Sequence, residues 1–325
     1  MVYMIKKLMI VFISICLVSC SSPSKKDRID MGKIEIVAAG AKGGGADATV
    51  RAIQQVLTEK KIVKVPVSVS NKIGGQGEEG WKYIKQRKEG NIVSGNSSLL
   101  ITNNLLGQSQ LTYKDFTPLA ILTSEWEVIV VPANSPIYNL KQLIRTLDQS
   151  ESNIKVGISP RLGNDDHLSF MQLNKKAGVD SSKLEFFVYN SSHKVIDALV
   201  HHQLDVAPMS LSEVKKQYEQ GQVRILAVSS PSRLEELKEI PTWKEAGIDV
   251  TFSHWRGLMG PANMTKEQVA YWNKAVYDMV HTKEWEQLLK DNDLTSFYKN
   301  SSGAKVFLEQ QSKLYSDLMG GTNDE

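Results

Sequence analysis

The sequence predicts an α/β protein of two lobes, each a mainly parallel sheet flanked by helices, with a ligand cleft between them. Three observations carry this expectation. From Lys33 onward, short apolar or alternating runs of strand length alternate with amphipathic runs of helix length. Several of the helical runs end at a glycine, as at Gly178 and Gly221. Two apolar runs, "VIVV" and "RILAVS", bracket a block at 131–228 that contains its own complete set of strand and helix units. The chain therefore divides into one domain of residues 33–130 plus 229–325 and a second of 131–228, joined by two crossovers. No period of solenoid length is visible.

Taken in order, "KIEIVAA" reads as a strand and 47–60 as an amphipathic helix. "VPVSVSN" is followed by a helix at 78–88, and "NIVSG" by a short apolar helix at 98–106. "EVIVV" at 127–131 is a continuous apolar run ending at Pro132, the pattern of a strand covered on both faces. Then come a helix in "NLKQLIRTL", a strand in "NIKVGI", a helix at 164–177, a strand in "KLEFFVY" and a helix at 192–202. "LDVAPM", a helix at 211–220 and "VRILAVS" complete the inner block. Past Pro241 the pattern predicts a short helix, a strand in "IDVTF", and helices at about 265–280, 283–291 and 303–318.

Lys6 and Lys7 precede an apolar stretch from Leu8 to Val18. That stretch is shorter than the ~20 residues needed to span a bilayer, so residues 1–19 read as a secretion signal. Leu17, Val18, Ser19 and Cys20 resemble the bacterial lipobox, which implies cleavage before Cys20 and lipidation of its thiol. Residues 20–32 are polar, rich in chain breakers and without periodicity, as a lipidated tether is. The mature chain is thus expected in the cell envelope, in the periplasm or on the outer face. Cys16 and Cys20 are the two cysteines, so no disulfide and no cysteine metal site is expected in the folded body. The formal charge of +3 falls to +1 without Lys6 and Lys7, which gives no support to a nucleic-acid partner.

The stretch "AGAKGGGADATVRAI" (39–53) poses the central question of function. A phosphate-binding loop needs a lysine and a hydroxyl residue after its glycines, whereas Lys42 precedes them and Ala46 and Asp47 follow. A dinucleotide fingerprint cannot be laid on the same residues. What remains is a glycine turn leading into a helix N-terminus, whose free N–H groups suit a small anion such as a carboxylate. On the residues alone Asp47 reads as the N-cap, and Lys42 as either a point charge for an anion or a solvated surface lysine.

Eight blocks occur in a fixed order: "GKIEIVAAGAKGGGAD", "VPVSVSNKIGGQGEEG", "DFTPLAILTSEWEVIVVPANSPIYNLKQLI", "GNDDHLSFMQLNKKAGVD", "ALVHHQLDVAPMSLSEV", "GQVRILAVSSPSRL", "EIPTWKEAGIDV" and "HWRGLMGPANMTKEQV". Together, over about 33–318, they resemble the tripartite tricarboxylate transporter receptors, the TctC or Bug family of periplasmic solute-binding proteins. The resemblance implies a periplasmic-binding-protein-like fold that captures a small di- or tricarboxylate and delivers it to a small and a large membrane subunit. It implies no cofactor, and a monomer is expected.

Carried over by position, the first lobe offers Lys42, Gly43, Gly44, Gly45, Ala46 and Asp47, then Gly95, Asn96, Ser97 and Ser98. The second offers Gly163, Asn164, Asp165, Asp166 and His167, then Tyr189, Asn190, Ser191 and Ser192, and the Met209–Ser210 turn. Trp255 and Arg256 come from the returning segment, which reads as irregular, with Trp255 facing the cleft. The family usually has proline at the Lys42 position, a large aromatic at Ala46, and a glycine run where this chain has Ser191, Ser192 and His193. These departures bear on the choice of anion.

Other chemistries find little support. Asp165, Asp166 and His167 are adjacent rather than at metal-ligand spacing, and they read as a helix start with carboxylates near free N–H groups. One of those carboxylates is a candidate partner for Arg256. No nucleophile–base motif is visible, so a cleft hydrolase is the weaker rival. An orphan receptor of the same fold, used in sensing, is the nearer alternative. Trp81, Trp243, Trp272 and Trp285 sit in helical patterns and read as packing residues.

Overall fold

The computed structural model describes residues 31–149 and 153–320. The signal, Cys20 and most of the tether lie outside the described residues. The described residues form ten strands and ten α-helices, which alternate from β1 to β8. β1 (Ile34–Ala38), β2 (Val67–Asn71) and β3 (Ile92–Ser97) lie side by side and parallel, with β1 in the middle. They are joined through α1 (Gly45–Glu59) and α2 (Glu78–Lys85), the crossover helices that parallel strands require. α3 (Leu99–Leu105) follows β3 and leads to the longest strand, β4 (Thr117–Pro132).

β4 is the spine of the molecule. Its 16 residues begin ten positions before the run "EVIVV", and every one of its pairings is antiparallel. The first part pairs β9 (Ser253–Gly260) on one side and β10 (Thr295–Lys299) on the other. The second part pairs β7 (Ala207–Ser210) and β8 (Val223–Val228). β9 also pairs β3, so the path runs β10-β4-β9-β3-β1-β2. The expectation of mainly parallel sheets is therefore modified to a mixed arrangement. A strand covered on both faces reads as continuously apolar whichever way its neighbours run, and α6, α7, α8 and α10 pack against β4.

In the inner block, α4 (Leu140–Leu147) precedes β5 (Lys155–Ile158), which pairs β6 (Glu185–Val188) in parallel and bridges Val206, beside β7. α5 (Asp165–Ala177), α6 (Ser192–Val200) and α7 (Leu211–Glu219) flank these strands. α5 ends where expected, with Gly178 in the left-handed conformation at φ +81°. α8 (Lys266–Val280), α9 (Lys283–Asp291) and α10 (Ser301–Leu318) complete the chain.

Two expectations past Pro241 fail together. The segment 241–247 is a turn and not a helix, because Thr242 bridges Val228 and Trp243 N–H donates to Val228 O at 2.9 Å. "IDVTF" is not a strand; the strand starts one residue after it, at Ser253. Trp255, Tyr315, Phe307, Ile129, Leu168 and Phe170 belong to one apolar core, which removes ~1.5–3 kcal/mol worth of apolar surface from water per large side chain. A second core gathers Val128, Val130, Leu199 and Met209, and a third gathers Val37, Trp81 and Phe116.

Candidate ligand-binding site

A cavity of about 760 Å³ opens above the carboxyl ends of β1, β3 and β5. One wall comes from residues 39–49, 73–81 and 95–99, the opposite wall from 159–166, 192 and 210–213. Glu125 of β4 with His254 and Arg256 of β9 form the floor.

The first wall is built by the glycine turn between β1 and α1. Gly43 has φ +84°, a conformation open to glycine at little cost. Its N–H donates to Asp47 Oδ2 at 2.9 Å, while Arg51 Nε donates to the same oxygen at 2.8 Å and Asn71 Nδ2 to Oδ1 at 2.8 Å. Asp47 is thus not the N-cap; Gly44 is, and Asp47 sits three residues in and reaches back to hold the loop. The Arg51 guanidinium is the chief reason its carboxyl is lowered to about 2, with the Gly43 and Asn71 donors adding to it. Ala48 N–H to Gly44 O is the first helical bond, so the N–H groups of Gly45, Ala46 and Asp47 precede the ladder, and no side chain caps them. Gly44, Gly45 and Ala46 line the cavity; Lys42, Gly43 and Asp47 do not. Lys42 is exposed.

A second glycine turn, 74–77, lines the same wall, and sequence reasoning did not select it for the site. Gly77 has φ +108°, and a Cβ there would fall 2.7 Å from the Trp81 ring. Trp81 in turn donates from Nε1 to Gly95 O at 3.3 Å, tying the turn to the end of β3. The signal was present, since a strand, glycines and a helix follow one another there as they do at 43–45.

β9 settles the returning segment. As in any strand, successive side chains alternate, so His254 and Arg256 face the cavity and Trp255 faces the core. Trp255 is 0% exposed; its Nε1 donates to Tyr315 Oη at 3.1 Å and its ring meets Phe307 edge-on at 5.6 Å. The placement of Trp255 in the cleft is therefore corrected. Arg256 Nη2 lies 3.9 Å from Glu125, not on Asp165 or Asp166, and a Cβ at Gly45 would stand 3.4 Å from the same nitrogen. The guanidinium thus stands beside the start of α1 with one loose ion pair.

The opposite wall is made of helix starts. Asn164 caps α5 by accepting from His167 N–H at 3.2 Å, which places Asp165 and Asp166 in the first turn. Asp165 Oδ2 accepts from Ser98 Oγ at 2.6 Å and lies 3.3 Å from His254 Nε2. On its other edge, His254 Nδ1 lies 3.0 Å from Ser210 Oγ, 3.3 Å from Glu127 and 3.4 Å from Glu125. Glu213, in the first turn of α7, accepts from Ser192 Oγ at 2.6 Å, at the first turn of α6. Burial raises Asp165 to about 6, against the Ser98 donor and the Arg256 charge. Burial first, then neighbouring carboxylates, also pushes Glu127 and Asp166 up, and burial leads in raising Glu213. Burial holds the His254 imidazole well below its ordinary range, and Arg256 adds to this.

Asn96, Ser97, Asn164, Asp165, Asp166 and Ser210 line the cavity as the carry-over by position expects, and Ser98 touches it through Asp165. Gly163, His167, Tyr189, Asn190, Ser191 and Met209 do not line it. His167 packs edge-on against Phe186 at 4.9 Å and accepts the Gly163 N–H at 3.1 Å, and burial lowers it to about 4. Met209 is buried in the second core, the residue before Ser210 and on the other face of β7. Glu125, Glu127, His254 and Glu213 were missed. "SEWE" and "SHWR" carried the signal as polar residues alternating with tryptophans, which is strand periodicity across a wet face and a dry one. Among the described residues no group of three or more His, Cys, Asp or Glu has metal-holding geometry.

The fold has close counterparts among solved structures. A TctC solute-binding protein from Polaromonas superposes with a TM-score of 0.78 at 24% identity, covering 88% of this chain and 97% of that one. The Rhodopseudomonas palustris protein MatC with bound malate gives 0.66 at 20% identity, covering 88% and 98%. The adipate-bound Rpa4515 of R. palustris gives 0.71 at 19% identity, covering 89% and 96%. In sequence, a UPF0065 protein from the tcbD–tcbE intergenic region of Pseudomonas sp. (strain P51) is 25% identical over 291 residues, 86% of this chain and 84% of that protein. The family described as the tripartite tricarboxylate transporter family receptor matches residues 50–322, and the chain belongs to that family of solute-binding receptors.

Proposed function

We propose that this receptor captures a small carboxylate, di- or tricarboxylate, in the 760 Å³ cavity and presents it to the small and large membrane subunits of a tripartite transporter. The observation that carries the reading is the meeting of the uncapped start of α1 with the Arg256 guanidinium at one end of the cavity. Partial positive charge and directed N–H groups converge there with a forked cation, an arrangement suited to a carboxylate. The malate and adipate held by the R. palustris neighbours are in keeping with it.

On this reading the protein binds and releases without making or breaking a bond. It works as a monomer outside the cytoplasmic membrane, tethered by a lipid on Cys20. Residues 33–130 plus 229–325 act as one lobe and 131–228 as the other, rotating about the crossovers near 131 and 228 to close on the ligand. A thermal-shift series of carboxylates on the purified protein tests it. A true ligand at one hundred times its dissociation constant stabilises the fold by ~2.7 kcal/mol. If no carboxylate moves the melt while a nucleotide or an uncharged solute does, the reading is wrong.

A further inference from the structure

A second cavity, of about 250 Å³, lies against the first. The two share Gly45 and Thr49 of α1, Glu125, Ser212 and Arg256, so they meet at the start of α1 and the Arg256 guanidinium. Away from that junction the walls change character. They come from Ala48 and Ala52 of α1, from Trp285, Leu288 and Leu289 of α9, and from Leu294, with Thr123 and Asn292 as the polar exceptions. Spacings of three and four residues put each helix's contributors on one face. Trp285 and Leu289 are buried, Ala52 and Leu288 half-buried, and Ala48 and Asn292 exposed, so this side chamber opens to solvent past Ala48 and Asn292.

Arg256 stands loosely at the junction. Its Nη2 is 3.9 Å from Glu125 and its Nη1 donates to Trp255 O at 3.4 Å, both long contacts. The carbon chain behind a carboxylate held there has two ways to go. Along the second wall it meets Asp165, Asp166 and Glu213, beside which apolar surface gains little. In the side chamber it meets alanine, leucine and tryptophan and leaves water. An apolar cavity of ~150 Å³ admits benzene, so a body of about six carbons fits the larger space.

Resting on the carboxylate reading above, we propose that the side chamber is an apolar subsite, which takes the hydrocarbon tail or ring of a carboxylate whose head is held at Arg256. Ala48 and Ala52 keep the space open from the α1 side, and the α9 stripe supplies the surface the tail packs on. Binding then selects for the apolar part of the ligand as well as for its charge.

Two series with a constant head and a growing tail test this by calorimetric titration of the purified protein. One runs from acetate through butyrate and hexanoate to octanoate, the other from succinate to butylsuccinate and phenylsuccinate. In the series that binds, affinity is expected to rise about fourfold for each methylene, levelling off at about six carbons. Ala48→Phe, which fills the chamber from its exposed end, and Leu288→Asn, which makes one wall polar, are each expected to cut the ratio of tailed to untailed affinity by about tenfold. The thermal melt checks that both variants fold. A tail that leaves affinity unchanged or lowers it overturns the inference and leaves the carboxylate reading standing. Failure of every member of both series, with no other carboxylate moving the melt, overturns both. A ratio that survives both substitutions overturns the assignment of the tail to the side chamber.

Discussion

Asp47, behind the first wall of the cavity, and Asp165, on the second, occupy similar places in their helices. Each lies in the first turn of a helix that follows a glycine-containing turn, and each is almost fully buried. Their surroundings drive them apart. Asp47 accepts from a guanidinium, an amide and a backbone N–H, and it is held at about 2. Asp165 has one hydroxyl donor, neighbours of its own sign and an oxygen with no partner, and burial raises it to about 6. The first aspartate is spent on its own loop, which leaves the helix start free for a ligand's carboxylate. The second is kept under tension inside the cavity, as functional groups often are at some cost in stability.

The largest expected effect lies outside this contrast and checks the frame that holds it. Trp255→Ala should cost ~3–5 kcal/mol of stability, because a fully buried ring leaves a void and the Tyr315 hydroxyl loses its donor. Urea melts measure it. A small loss of stability with a large loss of affinity would mean that Trp255 faces the ligand after all. Next, Arg256→Ala should weaken carboxylate binding by ~10- to 150-fold, the ~1.5–3 kcal/mol of a charge-assisted bond, and Arg256→Lys should recover only part of it. Unchanged affinity in a titration would remove the first wall's role.

The two aspartates then separate by pH. Burial raises the Asp165 carboxyl from its ordinary 3.8 to about 6 in the folded state, which therefore takes up a proton as pH falls through 6. Asp165→Asn should therefore raise the melting temperature at pH 8, with the advantage shrinking below pH 6 and gone near pH 4. Asp47 has the opposite sign. Its contribution is complete above 3.8 and is lost as pH falls towards 2, so Asp47→Asn should destabilise at pH 7 and make little difference near pH 2. Melting curves of both variants across this range test the contrast, and parallel pH profiles would break it. The smallest effect belongs to Lys42→Ala, expected within about 0.5 kcal/mol in stability and without effect on affinity, since the side chain is exposed and outside the cavity.

Much of the fold was legible because its signals are local. The 3.6-residue stripes of α1 and α5, the glycine stops at 178 and 221 and the alternation of β1 each need only a few neighbouring residues. The direction of β4 was not legible, because a strand covered on both faces by helices looks the same in parallel and antiparallel sheets. β10 escaped for a related reason, since its "TSFYK" pairs along the first part of β4 as an edge with weak alternation. In the site, the glycine turn and the "NDDH" start announced themselves through capping chemistry. The floor did not. Glu125, His254 and Arg256 become neighbours only when β4 and β9 pair, Glu125 opposite His254, across more than a hundred residues of chain.

The polarity of the bound ligand tests the account most directly. A crystal structure of the protein with the tightest-binding carboxylate of the thermal-shift series should show a ligand carboxylate within about 3 Å of the N–H groups of 45–47 and of the Arg256 guanidinium. A ligand lying the other way round, with its carboxylate on the second wall and Arg256 still on Glu125, would contradict it.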